Sequence, residues 1–313
     1  MKLGTAAAPG VATWRAVAFL EDDAVLDLGA AAALVGEASA IFDAGVSNGS
    51  WLGDEGRALA RKIAGAPRTT LAPAMRPIAS MRIGPPIPHP RTFIAAGRNY
   101  GDHLREGQRI WAERGKKVER AEHPTAFIKL ASAIVPHGAP IRIPRNVDCV
   151  DYEIELVAVI GRRAFEVPLE RALDHVAGYT ICNDVGARRI QRFEMEHQIG
   201  LSLSKNFPSF APLGPWMTTS DEIRDPQTLD VHMKVNGETR QQANTSDMIF
   251  AVADLVSYWS RVGLEPGDMI STGTPSGIAL ARPNPEQFYL KLGDVAEATI
   301  SGIGTLRNPV AAA

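Results

Sequence analysis

DYEIELVAVIG, residues 151–161, is a strand that is apolar along most of its length yet opens on two glutamates. Side chains alternate along a strand, so Glu153, Glu155, Val157 and Val159 share one face and Ile154, Leu156, Ala158 and Ile160 the other. Beyond the glutamates both faces are apolar, which marks a strand buried on both sides. Two carboxylates side by side at its start repel each other, and each loses several kcal/mol of hydration unless something compensates. A cation is the simplest compensation; the alternative is a strand end that protrudes and leaves both glutamates solvated. A third carboxylate, Asp184, follows a second apolar strand in VAGYTICND (176–184), so neighbouring strand ends can bring three carboxylates together. An all-oxygen set with no cysteine and no required histidine suits Mg²⁺, Mn²⁺ or Ca²⁺ rather than zinc or copper.

Working outward, the segment from 147 to 180 reads as strand, helical turn over 168–175, and strand. LDVHMKVNGETRQQANTSDM alternates around Asn236-Gly237, a strong hairpin signal. SDMIFAVADLVSYWSRVG has helical spacing, with Ser246 placed to cap it and Gly263 to end it. Near the start, WRAVAFLEDDAVLDL (14–28) reads as a small hairpin turning at Glu21-Asp22-Asp23. The stretch 81–90, MRIGPPIPHP, has four prolines and must be largely extended, which places a boundary between a small N-terminal domain (1–85) and a main domain (86–313). The charged, helix-favouring segment 107–123 is a candidate lid beside the buried strand TFIAAG.

Composition excludes several roles. With 313 residues, 45% hydrophobic and 22% charged, the chain can build a substantial core. Lys+Arg 33 against Asp+Glu 35 leaves a net charge of −2, with no basic field for nucleic acid or an anionic membrane. No apolar run approaches the ~20 residues of a membrane helix, and residues 1–34 read as folded sequence rather than a leader. Cys149 and Cys182 form no CxxC or Cys/His cluster, which favours a reducing cytoplasm and no zinc site.

In GDHLREG, His103 and Glu106 lie three positions apart, on one side of a helical turn. A carboxylate beside an imidazole raises its basicity and orients it, as a general base requires, although a charged surface helix gives the same spacing. Lys205, in LSLSKNFPSF, sits among small and apolar residues, so it is either an inward oxyanion partner or a loop lysine. Thr272-Gly-Thr-Pro-Ser-Gly277 offers backbone amides and hydroxyls to a carboxylate, or is simply a tight turn.

Taken together, GRNYGDHLRE (97–106), DYEIELVAVIGRRA (151–164), AGYTICNDVGARRIQ (177–191), SKNF (204–207), VNGETRQ (235–241), MIF (248–250) and GDMISTGTPSGI (267–278) resemble the fumarylacetoacetate hydrolase family in order and spacing. The likeness runs from about Arg91 to Pro309. It implies a β-rich α+β fold with a mixed β-sheet roll and a small variable N-terminal domain, usually a homodimer. It implies Mg²⁺ or Mn²⁺, with Ca²⁺ as a substitute in crystals, on Glu153, Glu155 and Asp184. It assigns His103 and Glu106 to activation of water, Lys205 to catalysis, and Arg98, Tyr100, Arg188, Gln191 and Thr274 to substrate binding. Two departures stand out: Leu130 follows Lys129 where many relatives have proline, and 107–124 is longer than in compact members. The true fumarylacetoacetases have a different catalytic segment near the N-terminus. The expected activity is therefore hydrolysis of a carbon–carbon bond in a β-diketo acid of the acylpyruvate or fumarylpyruvate type, by way of a metal-stabilised enolate. Decarboxylation, isomerisation or hydration of 2-oxo acids on the same site is the main rival, and a non-catalytic ligand-binding descendant the rival from another class.

Overall fold

The computed structural model describes residues 1–21, 23–113 and 115–313. Ile154–Ile160 lies inside a mixed 12-stranded sheet, antiparallel to Val176–Asn183 on one side and to Met269–Ser271 on the other. Met269–Ser271 in turn runs parallel to Phe93–Gly97. The alternation along the central strand divides its side chains between two cores. Ile154, Leu156, Ala158 and Ile160 pack with Val231, Met233, Ala296, Ala298 and Ile300 of a second, 5-stranded sheet. Val157 and Val159 pack with Leu28, Phe42, Trp51, Leu52, Ala60 and Ile63 from N-terminal helical segments. Helices, large sheet and small sheet thus form three layers with this strand in the middle one, and the fold is α+β and sheet-rich.

The N-terminal residues are not packed apart. Lys2–Ala7 joins the large sheet antiparallel to Ala211–Thr219, with Leu3 opposite Met217, and Leu3 shares one core with Val157, Cys182 and Leu213. The proline-rich stretch 81–90 crosses this shared body: Ile83 pairs with Ala6, and Ile87 is fully buried. Arg15–Phe19 and Ala24–Asp27 form the expected hairpin, whose turn residue Asp22 lies outside the described residues.

Asn236 and Gly237 both have positive φ, 53° and 79°, and turn Asp230–Val235 into Glu238–Asn244. This is the geometry an Asn-Gly hairpin turn demands. The helix expected to start after Ser246 begins later, at Val252–Trp259. Asn244 takes the Ser246 N–H and heads a separate 3₁₀ turn, Thr245–Asp247, while the Asp254 carboxylate accepts the Ala251 N–H at the true helix start. Gly263 does close the element, at φ 73°, after a 3₁₀ turn Ser260–Val262. The expected turn before Val176–Asn183 is the 3₁₀ helix Leu169–His175.

The charged segment after Tyr100 forms the helix Gly101–Ala112. Its C-terminal half is tied down where Gln108 donates to the Val118 carbonyl (3.0 Å) and Arg109 to the Ala281 carbonyl (2.6 Å). Arg114, within the candidate lid, lies outside the described residues. Among the described residues no helix is long and apolar enough to cross a membrane.

Candidate metal centre

Strand register builds the centre. Ile154 lies opposite Asn183 and Glu155 opposite Cys182, so the entry of one strand meets the exit of the next. Asn183 Oδ1 accepts the Glu153 N–H (2.9 Å), and the Asp184 N–H donates back to the Glu153 carbonyl (2.8 Å). Carboxylate oxygens of Glu153, Glu155 and Asp184 consequently fall within 4.8 Å of one another. These residues are only 6%, 2% and 1% exposed, so the solvated strand end is excluded.

Buried cations surround the three. Lys205 Nζ donates to Glu153 Oε2 (2.5 Å) and to Asp184 Oδ2 (2.7 Å). Arg188, the first residue of the helix Arg188–Glu196, donates to Glu153 Oε1 (2.5 Å), Asp151 Oδ2 (2.8 Å) and Gln191 Oε1 (2.7 Å). Lys129 donates to Asp184 Oδ1 (2.8 Å), and to the carbonyls of Lys205 and Phe210. Lys129 and Asp151 carry no site assignment from sequence, although a lysine inside the apolar run FIKLA was a signal for the first. Counting Asp151, four buried carboxylates face three buried cations, a formal excess of one negative charge when every group is ionised.

That excess rests on Glu155. Burial would raise the Glu153 carboxyl, but Arg188 and Lys205 overcome it and hold that group well below the usual carboxylate range. Burial would likewise lower Lys205, and Asp184 and Glu153 reverse the effect and keep it charged. Glu155 makes no ion pair among the described residues; Oε2 accepts the Ser271 hydroxyl and the Gly273 N–H. Burial, with Asp184 and Glu153 beside it, pushes its carboxyl well above the ordinary value. Gly273 can present its amide there because it sits at φ 86°, where a Cβ would meet Asn99 Cβ at 3.0 Å. Three buried carboxylates, one lacking a counter-charge, are the donor set a hard divalent ion fits.

The remaining sequence-assigned residues sit as follows. His103 Nδ1 is 3.4 Å from Glu106 Oε2, and Glu106 Oε1 accepts the Gly277 N–H (2.9 Å), which ties the pair to the 272–277 loop. The same loop gives its Gly273 N–H to Glu155, so one loop touches both the His103–Glu106 pair and the carboxylates. Tyr100 is 1% exposed with a hydroxyl that has no hydrogen-bond partner among the described residues; burial, then Glu155, raises its pKa. Gln191 is held by Arg188. The Thr274 hydroxyl is fully engaged, donating to the Ile154 carbonyl and accepting from Gln241 Nε2. Gln241, which carries no assigned role from sequence, also accepts the Ile154 N–H and so fastens the loop to the strand. Arg98 is exposed and lines a separate small pocket with Leu104, Glu119 and His123.

The family model for the fumarylacetoacetate hydrolase C-terminal domain matches residues 92–311. A mitochondrial oxaloacetate tautomerase of Xenopus laevis is 40% identical over 226 residues, covering 72% of this chain and 67% of the relative. Among solved structures, 5-carboxymethyl-2-hydroxymuconate delta-isomerase of Mycobacterium smegmatis superposes with TM-score 0.71 at 30% identity, over 100% of this chain and 99% of that one. Maleylpyruvate hydrolase of Sphingobium sp. SYK-6, in complex with manganese(II) and pyruvate, superposes with TM-score 0.73 at 27% identity, over 100% and 99% of the two chains. These relatives are named as hydrolase, isomerase and tautomerase, and the two solved structures share this chain's fold. With its strand-end carboxylates set in that fold and its sequence matched over 92–311, the chain belongs to the fumarylacetoacetate hydrolase family.

Proposed function

We propose that the protein is a divalent-metal-dependent enzyme of 2-oxo acids, and that it hydrolyses a carbon–carbon bond in a β-diketo acid of the acylpyruvate or fumarylpyruvate type. The observation that carries this reading is a buried carboxylate triad in which Glu155 has no counter-charge among the described residues, joined through the 272–277 loop to a His103–Glu106 pair. Glu153, Glu155 and Asp184 would hold Mg²⁺ or Mn²⁺. Such an ion supplies Lewis-acid polarisation of the substrate's carboxylate and 2-oxo oxygens.

The chain's own groups do the rest. Glu106, anchored by the Gly277 amide, keeps the proton on His103 Nδ1 and leaves Nε2 to act as base. His103 takes a proton from water as the oxygen attacks the distal carbonyl carbon. Lys205 lends positive charge to the oxygen that gains the electron pair. When the carbon–carbon bond breaks, its electrons pass to the 2-oxo acid fragment, and the proton held by His103 returns to that carbon. The products are a carboxylic acid and a 2-oxo acid, with one water consumed.

A second reading is keto–enol interconversion of oxaloacetate, favoured by the 40% identical tautomerase. It needs proton transfer at carbon but no attacking water. Purified protein loaded with Mn²⁺ is to be assayed on acetylpyruvate, fumarylpyruvate and enol-oxaloacetate, with products identified by chromatography. Release of pyruvate from an acylpyruvate supports hydrolysis. Rapid ketonisation of oxaloacetate with both acylpyruvates left intact would overturn it in favour of the tautomerase.

A further inference from the structure

The helix Arg188–Glu196 grips the centre at its first turn through Arg188, and near its last turn it carries a second buried charge. Glu194 is 4% exposed, an unusual place for a carboxylate. No ion pair reaches it among the described residues. Instead Oε1 accepts the N–H groups of Ser202 (3.1 Å) and Leu203 (2.6 Å), and both oxygens lie 3.4 Å from the Ser204 nitrogen. Oε2 also accepts the Ser204 hydroxyl. Three consecutive amides converging on one anion make a backbone nest, and the residue that follows it is Lys205.

The run leading into this nest, 197–203, is almost entirely exposed, and it includes Gln198 and Gly200 at positive φ. The lysine after it is 1% exposed and makes three hydrogen bonds in the centre, to Glu153, to Asp184 Oδ2 and to the Asp184 carbonyl. A lysine stem is flexible, so where its ammonium settles depends on where its backbone is held. The Glu194 nest gathers the amides of that backbone, while its carbonyls are held by the Ala187 N–H at Ser204 (3.0 Å), Asn206 Nδ2 at Ser202 (2.9 Å) and Lys129 Nζ at Lys205 itself. Downstream the stem passes over Gly186, where a Cβ would lie 3.3 Å from Lys205 Cε and Nζ.

We propose that Glu194 is a positioning residue that acts through Lys205: by gathering the 202–204 amides it fixes the point from which the ammonium spans Glu153 and Asp184. Its catalytic meaning rests on the proposed role of Lys205 above, but its placement of the lysine does not. The helix therefore sets both cations that touch Glu153, one from each end.

The test uses the full metal-free chain. Glu194→Gln keeps the size and loses the charge that organises the amides, and Ser204→Ala removes one hydroxyl bond as a milder variant. Competitive acetylation read by peptide mass spectrometry reports the accessibility of Lys205. Both variants should raise its labelling by about three-fold or more, Glu194→Gln the further, with the surface Lys62 unchanged. Unchanged labelling of Lys205 in a folded Glu194→Gln protein would overturn the proposal. Mn²⁺ titration of wild type, Glu194→Gln, Lys205→Met and the double variant then closes a cycle. Glu194→Gln should shift the Mn²⁺ Kd by about three-fold in the wild-type background and by less than about 1.5-fold in the Lys205→Met background. An equal shift in both would place the effect on another route, such as Arg188, and contradict the proposal. Failure of the functional reading looks different: wild type would neither bind Mn²⁺ nor turn over a 2-oxo acid, while the labelling result stood.

Discussion

Glu155→Gln should make the metal-free protein more stable while removing its response to metal. Glu155 is 2% exposed, faces Glu153 and Asp184 within 4.8 Å, and makes no ion pair among the described residues. Its carboxyl is pushed well above the ordinary value by burial and then by those two neighbours. A raised pKa in the folded state contributes stability that is fully present below the unfolded value, near 4.3, and is lost as pH rises through the folded one. Glutamine stays neutral throughout and can still accept from Ser271 and Gly273. The two proteins should therefore melt alike near pH 4 and diverge as pH rises, with the variant above. A buried charge left without a partner costs about 3–5 kcal/mol, which a neutral group of the same shape avoids. With an unfolding entropy of about 2.1 cal/mol/K per residue and 313 residues, that becomes about 5–8 °C in Tm. The assay is thermal melting in EDTA from pH 4 to 8, repeated with Mn²⁺. At one hundred times Kd, wild type should gain about 2.7 kcal/mol, or about 4 °C, and the variant nothing. A variant that melts below wild type in EDTA at pH 7, or that gains as much from Mn²⁺, would refute this reasoning.

Three further outcomes follow from the same geometry. His103→Ala should keep the Mn²⁺-induced rise in Tm and lose roughly 10²–10⁴-fold in turnover, measured as pyruvate release; an unaffected rate would remove His103 from the reaction. Lys129→Met strips Asp184 Oδ1 of its cation and two carbonyls of their donor, and should cost about 3–5 kcal/mol of stability, read by denaturant melting. His137 Nδ1 accepts the Arg307 N–H, so the ring must be neutral, and burial with the Arg307 charge lowers its pKa below the ordinary value. A lowered value means stability that is present above about pH 6.5 and lost as pH falls through the folded pKa. His137→Gln should flatten that loss between pH 7 and pH 5, and an unchanged melting profile would contradict it.

What could be seen in the sequence was whatever depends on short-range periodicity. The alternation of 151–161 gave both the burial of the central strand and the shared face of Glu153 and Glu155. Asn236-Gly237 signalled its hairpin because the turn depends on two adjacent residues. Asp184 was within reach because it stands at the end of a second readable strand. What stayed hidden was set by long-range pairing. Lys129 meets Asp184 from 55 positions away and Arg188 meets Asp151 from 37, so local pattern could not show which charges cancel. The same holds for Lys2–Ala7, which a local reading assigns to a small separate unit and which in fact pairs with Ala211–Thr219. At Ser246 the obstacle was local: Asn244 is an equally good cap two residues earlier, and its turn ends the chain's first attempt at a helix before Val252.

If the proposed function is right, Glu153, Glu155 and Asp184 together hold a divalent ion to which a 2-oxo acid binds. Anomalous diffraction from crystals soaked with Mn²⁺ and oxalate, a two-carbon mimic of the 2-oxo acid head, is the decisive measurement. The expected result is one strong manganese peak with a carboxylate oxygen from each of the three at about 2.0–2.3 Å, and with both ends of oxalate on the same ion. Manganese bound elsewhere, with Lys205 and Lys129 still occupying Asp184 and no peak among the three carboxylates, would contradict it.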